Sequence, residues 1–350
     1  MVATQSTRRR KRYASIDYLK AAAILTVIWI HAYLTLWRAQ VGIVLSIEAL
    51  TRFAVPAFLF ASGFLAFSPA RVDFSHHRAR VTRILVPYLV ASAIAIAGRW
   101  LVLGPLPLNQ IAKDLLTGDA VGVYYFMMPL IVATLLSWPL ARVPGAMTPV
   151  LAVLVATAWL CERGTIAFSD SSPLDAYFWN LRNPLRWLGY FVAGCWAAQH
   201  VAWIVTVRRG PRIIASLGLL GTAVVLSLAL AYPPGTSWQS WQSWQSWIDR
   251  ATLEYAVIYA SVLGLFLLAM DWPEQPIVRW LSDATYPIYL YHFFFIAGFR
   301  YGCRDTLHQQ WGLSNRVVDS ITFVVGAAGA LAVVYLGRRA FGRAARIVIG

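Results

Sequence analysis

Apolar segments long enough to cross a bilayer recur from one end of this chain to the other, and few folds tolerate that pattern. A helix needs about 20 mostly apolar residues to cross the hydrocarbon core, where every backbone polar group must be satisfied within the segment. Spans are predicted near residues 16–37, 42–67, 82–104, 122–141, 147–161, 183–200, 212–232, 251–270, 284–300 and 317–337, ten in all. The fifth is short, and Pro287 is expected to interrupt the ninth. Of the 350 residues 59% are hydrophobic and 13% charged, so no stretch is polar enough to fold as a soluble domain. The fold class is all-α and polytopic. Residues 1–12 form a basic tail, 13–340 one transmembrane domain, and 341–350 a second short basic tail.

Positive charge gives an orientation. With the N-terminus in the cytoplasm, the inner tails, loops and their borders hold eighteen Lys and Arg, and the outer ones hold eight. That asymmetry fits ten spans with both termini cytoplasmic. It also accounts for the formal net charge of +15 without a nucleic-acid partner. The run RRRKR before an apolar segment has the look of a signal peptide. Asp17 and Lys20 interrupt that pattern and no small-x-small site follows, so an uncleaved first span is expected. Three cysteines without metal-binding spacing predict no metal site. Cys195 reads as packing; Cys161 and Cys303 fall near outer span ends, where a disulfide is open to them. The repeat 237-SWQSWQSWQSW-247 suits an interfacial aromatic belt, with stacking on sugar rings as the other reading.

Ionisable groups within spans face a cavity or a partner. On the first helix Lys20 and His31 are eleven residues apart, about 20° from whole turns, so they share a face some ~16 Å apart along the axis. Asp17 is about 40° off the same stripe. Alone, Lys20 reads as a snorkelling anchor and His31 equally as a packing group or a functional imidazole. Glu48 and Arg52 on the second span are expected at the depth of His31. There the carboxylate would fix the imidazole's tautomer, or the two would form a plain i,i+4 ion pair. Ser62-Gly63 permits close helix approach. Arg80 and Arg83 share one side of a helix start, suited to phosphate or to setting topology and touching anionic lipid. His292 lies among Tyr286, Tyr289 and Tyr291 as a second imidazole or a packing group.

Four stretches in order resemble the transmembrane acyltransferase-3 family, across roughly residues 13–340. They are Asp17 with Lys20 and His31; the phrase VPAFLFASGFL with Ser62 and Gly63; Arg80-x-x-Arg83 followed by Ile84, Leu85 and Pro87; and Thr285, Tyr286, Tyr289, Leu290 and His292. The family often has Arg where Lys20 stands, which loses a bidentate fork, and a Trp-Phe pair where this chain reads YYFMMPL. The resemblance implies the short form, without a soluble esterase-like domain, in a bacterial cytoplasmic membrane. It implies transfer of an acyl group, usually acetyl, from cytoplasmic acyl-CoA to a hydroxyl of a polysaccharide, glycolipid or small glycoside, with no bound cofactor. His31 would be the general base with Glu48 and Arg52 beside it. Lys20, Ser62, Arg80 and Arg83 would serve the donor, and Asp17, Tyr286, Tyr289 and His292 the cavity wall. Ten spans with internal charge equally fit a transporter or flippase. Arg80 and Arg83 at the inner face favour the enzyme.

Overall fold

In the computed structural model the described residues, 12–33, 42–67, 74–163, 165–166, 173–231 and 250–350, are helical almost throughout, with no strand among them. The basic residues 8–11 and the tryptophan repeat lie outside that set. In chain order the helices are α1 (Ala14–Ala32), α2 (Gly42–Thr51), α3 (Ala54–Ala66), α4 (Phe74–Leu103), α5 (Leu108–Thr117), α6 (Met127–Leu140), α7 (Met147–Glu162), α8 (Pro173–Arg182), α9 (Pro184–Thr206), α10 (Arg209–Ala231), α11 (Arg250–Leu268), α12 (Pro276–Asp305), α13 (Asn315–Phe341) and α14 (Ala345–Val348). Nine stretches among the described residues are long and apolar enough to cross a membrane, each overlapping a predicted span.

The remaining predicted span, 284–300, lies in α12. At 30 residues α12 is long enough to cross, but Arg279, Asp283, His292, Arg300 and Arg304 make it more polar than the nine. Its contacts fix its course. Arg12 pairs with Asp283, and Lys20 donates to the Ser282 carbonyl. Further along, His31 meets His292, and Arg300 donates to the Ala32 carbonyl. These partners advance together along both helices, so α12 runs parallel to α1 beside it, and α1 is one of the nine.

Two prolines act differently from expectation. Pro287 does not end α12. A proline leaves the carbonyl four residues earlier without its helical donor. Here that carbonyl belongs to Asp283, and the Arg338 guanidinium donates to it at 3.5 Å. The second span, by contrast, is two helices, because Pro56 cannot donate to the Arg52 carbonyl and its ring crowds that turn. Thus α2 stops at Thr51 and α3 starts at Ala54.

Glycines set the tightest crossing. A Cβ at Gly63 would stand 1.9 Å from the Phe191 carbonyl oxygen, and one at Gly194 would stand 1.9 Å from that of Phe60. Helices α3 and α9 can approach this closely only without side chains there. Gly194→Ala should therefore cost ~1–3 kcal/mol of stability through overpacking. A lower thermal midpoint of the detergent-purified protein is the expected reading, and an unchanged one would show that the crossing is looser than this.

Arg12 and the stretch from Gly342 to Gly350 border one cavity, so α1 begins and α13 ends at the same end of the bundle. The disulfide left open between Cys161 and Cys303 is not formed: Cys161 is buried, Cys303 is exposed, and both are free thiols. Asn183 donates to the Cys161 sulfur at 3.4 Å instead.

Candidate active site

The shared end of the bundle opens into a cavity of about 1140 Å³. Four helices supply its charge: Arg12, just before α1, and Lys20 within it; Arg80 and Arg83 from α4; Arg279 from α12; and Arg338 from α13. Ser62 of α3 completes that wall, and the carboxylate among the lining residues is Asp283. Among the described residues, six cations against the Asp283 carboxylate give the cavity a positive potential that favours a ligand carrying several negative charges.

The cations differ in how they are held. Arg12 grips Asp17 through Nε at 2.6 Å and Nη2 at 2.9 Å, and reaches Asp283 at 3.0 Å. Asp17 also accepts the Ser282 hydroxyl at 2.6 Å. It is thus a buried brace behind the cavity, holding Arg12 and α12 to α1, and is not among the lining residues. Lys20 Nζ donates to the Ser282 carbonyl at 2.6 Å, and Arg80 donates to the Ser62 carbonyl at 2.6 Å. The Ser62 carbonyl thereby anchors the guanidinium beside the tight glycine crossing. Arg83, Arg279 and Arg338 have no acidic partner among the described residues. Those three are open to bind an anion.

Away from this opening the walls turn apolar and aromatic, with Phe58, Phe126, Leu130, Tyr286 and Tyr289. The tyrosine hydroxyls are engaged: Tyr286 donates to the Ile84 carbonyl at 2.5 Å and Tyr289 to the Val123 carbonyl. Their rings stiffen the cavity between α4, α6 and α12. Past Tyr289 comes His292, with ring centroids 6.0 Å apart, and past that His31, 5.4 Å from His292. Phe293 packs edge-on against His31 at 5.7 Å. His292 is wholly buried. Its Nδ1 faces two carbonyl oxygens, Tyr289 at 2.8 Å and Ile288 at 3.2 Å, so Nδ1 carries the hydrogen. Its Nε2 therefore holds a lone pair, buried and without a hydrogen-bond partner.

The stripe read from the first helix faces one neighbour. Asp17, Lys20 and His31 all turn toward α12, meeting Ser282 twice and His292 once. Glu48 and Arg52 are not part of it. Arg52 donates to Glu48 at 3.1 Å and bonds Glu254 of α11, which also pairs with Arg250 at 2.8 Å. This corrects the expectation that Glu48 stands beside His31. The reason is packing: α2 lies mainly against α10 and α11 and only touches α1. Arg12, Arg279 and Arg338 also line the cavity, though in the sequence they carry only the signal of topology-setting charge. Nothing in one dimension brings three separate segments to one cavity.

No curated protein and no solved structure gives a significant match to the chain. The family model described as an acyltransferase domain, that of the acyltransferase-3 family, matches residues 13–339, nearly the whole length. Helices of spanning length run through that region, and the chain belongs to the acyltransferase-3 family as a membrane acyltransferase.

Proposed function

We propose that the protein moves an acyl group, acetyl in the first instance, from acyl-CoA to a hydroxyl of a cell-envelope glycan or glycolipid, with His31 as general base. The observation that carries this reading is a cavity with six cations at its opening and, past an aromatic wall, a pair of imidazoles. Coenzyme A has its phosphates at one end and its thioester at the other. Its phosphates match the arginines, and its thioester end would extend past Tyr286 and Tyr289 toward the histidines. The volume, about 1140 Å³, exceeds the roughly 300–1,000 Å³ of most small-molecule sites and suits so long a donor.

The excess of basic residues on the segments at this end favours the cytoplasmic side of a bacterial inner membrane for the opening. His31, about 16 Å along α1 from Lys20, is then in the outer half, where an acceptor hydroxyl would arrive from beyond the membrane. Removing the hydroxyl proton as oxygen attacks the thioester carbon is what an imidazole does well near neutral pH. Lys20 steadies the donor end. Glu48 and Arg52 have no part in this chemistry and brace the broken second span through Glu254.

The test uses purified protein, [14C]acetyl-CoA, and envelope membranes from a strain lacking the gene as the source of acceptor. Label appearing in extracted glycan or glycolipid is the expected result. Label remaining wholly in acetyl-CoA and free acetate, with folded protein, would reject the reading.

A further inference from the structure

His292 does more than fill the core. Its Nδ1 is committed to two backbone carbonyls, which fixes the tautomer and leaves Nε2 as a buried lone pair without a protein partner. A buried acceptor without a partner costs about 1–3 kcal/mol, so its retention calls for a use. The ring nearest to it in the direction of the proposed acceptor is His31, at 5.4 Å between centroids, and on the donor side is Tyr289, at 6.0 Å. The two ring planes are inclined by 33°, so the imidazoles are immediate neighbours and a rotation of the His31 side chain would bring a ring nitrogen toward His292 Nε2.

We infer that His31 and His292 form a proton relay, in which His292 accepts the proton that His31 releases from its far nitrogen. His31 needs to take the hydroxyl proton on one nitrogen. A neutral imidazole that does so alone becomes a cation in a membrane interior, where an unpaired charge is costly. Handing its other proton to His292 Nε2 spreads that charge over two rings and returns His31 to its neutral form. The hydroxyl oxygen forms its bond to the acyl carbon as the carbon–sulfur bond breaks. As that bond breaks, His292 returns its proton to His31 and His31 gives the hydroxyl's proton to the departing thiolate, so alcohol and thioester become ester and thiol with both imidazoles neutral again. His292 acts through His31 and is a positioning and relay residue; its side chain is not among those lining the cavity.

This inference rests on His31 being the base, and the experiment separates the two. Transfer from [14C]acetyl-CoA to envelope membranes is measured for wild type, His31→Ala, His292→Ala and His292→Gln. The Gln amide can accept a hydrogen bond but cannot take a proton. Both His292 variants should lose ~10–100-fold in kcat, with KM for acetyl-CoA within about threefold of wild type. Added imidazole should restore His292→Ala at least ~10-fold in a concentration-dependent way and leave His292→Gln, whose site is filled, unrestored. Near-wild-type kcat in folded His292→Gln would overturn the relay, as would a folded His292→Ala that imidazole cannot restore. If His31→Ala is inactive while His292→Gln is active, the relay fails and the proposed function stands. An active His31→Ala removes both.

Discussion

His31→Ala should fold and lose at least ~100-fold of transfer rate, since a positioned general base contributes about 10²–10⁴-fold. At ~100-fold the loss corresponds to about 2.7 kcal/mol of transition-state stabilisation. Folding should survive because the side chain makes ring contacts and, among the described residues, no hydrogen bond that braces two helices. Binding should survive as well. The cations are at the other end of the cavity, and His31 is not among the residues lining it. The expected signature is therefore a fall in kcat with little change in the Kd for acetyl-CoA. Mass spectrometry of the glycan fraction gives the cleanest measurement, since it counts product and ignores thioester hydrolysis. Full product yield from a folded variant would sink the role of His31. A variant that still hydrolyses acetyl-CoA but no longer acylates the glycan would place His31 strictly at the acceptor step.

The sequence and the folded chain differ in an instructive way. Spans were legible because lipid enforces a simple length and apolarity rule, and that rule acts locally. The stripe on α1 was legible for the same reason: helical period alone turns Asp17, Lys20 and His31 one way. Which neighbour they meet was not legible, because α12 is more than 250 residues away and its own polarity blurs its span. The break in the second span follows from Pro56, but the apolar residues on both sides make 42–67 read as one continuous span. Glu48 shows the opposite failure. Equal depth in the membrane suggested closeness to His31, but depth fixes one coordinate, and the direction in which α2 packs took the side chain to Arg52 and Glu254's side of the bundle. Arg279 and Arg338 were hidden by the charge rule for topology. A basic residue at an inner loop is sufficient to set topology, so nothing in the sequence demanded a second use.

That second use has a large expected effect. Arg83→Ala, Arg279→Ala and Arg338→Ala should each weaken acetyl-CoA binding ~10-fold, because a hydrogen bond to a charged group contributes about 1.5–3 kcal/mol and tenfold is about 1.4 kcal/mol. These three are the informative choices. Arg12 and Arg80 brace other groups, so changing them mixes binding with stability. Arg83 and Arg279 are exposed and lack acidic partners among the described residues, so their removal should shift stability by no more than about 0.5 kcal/mol. Arg338 is the partial exception, since it caps the carbonyl that Pro287 frees. The triple variant should show a shallower salt dependence of binding, since three of the six cations that meet the phosphates are gone. A ligand series locates the contact. Wild type should prefer acetyl-CoA to its 3′-dephospho form, and both to acetyl-pantetheine, which has no phosphate. In the triple variant that preference should collapse, with acetyl-pantetheine binding unchanged. Topology makes a contrary prediction: if these arginines serve orientation alone, all three ligands bind as before and the only change is in the sidedness of the tails. Calorimetric Kd values for three ligands and two proteins decide between a charge that orients the chain and one that holds its donor.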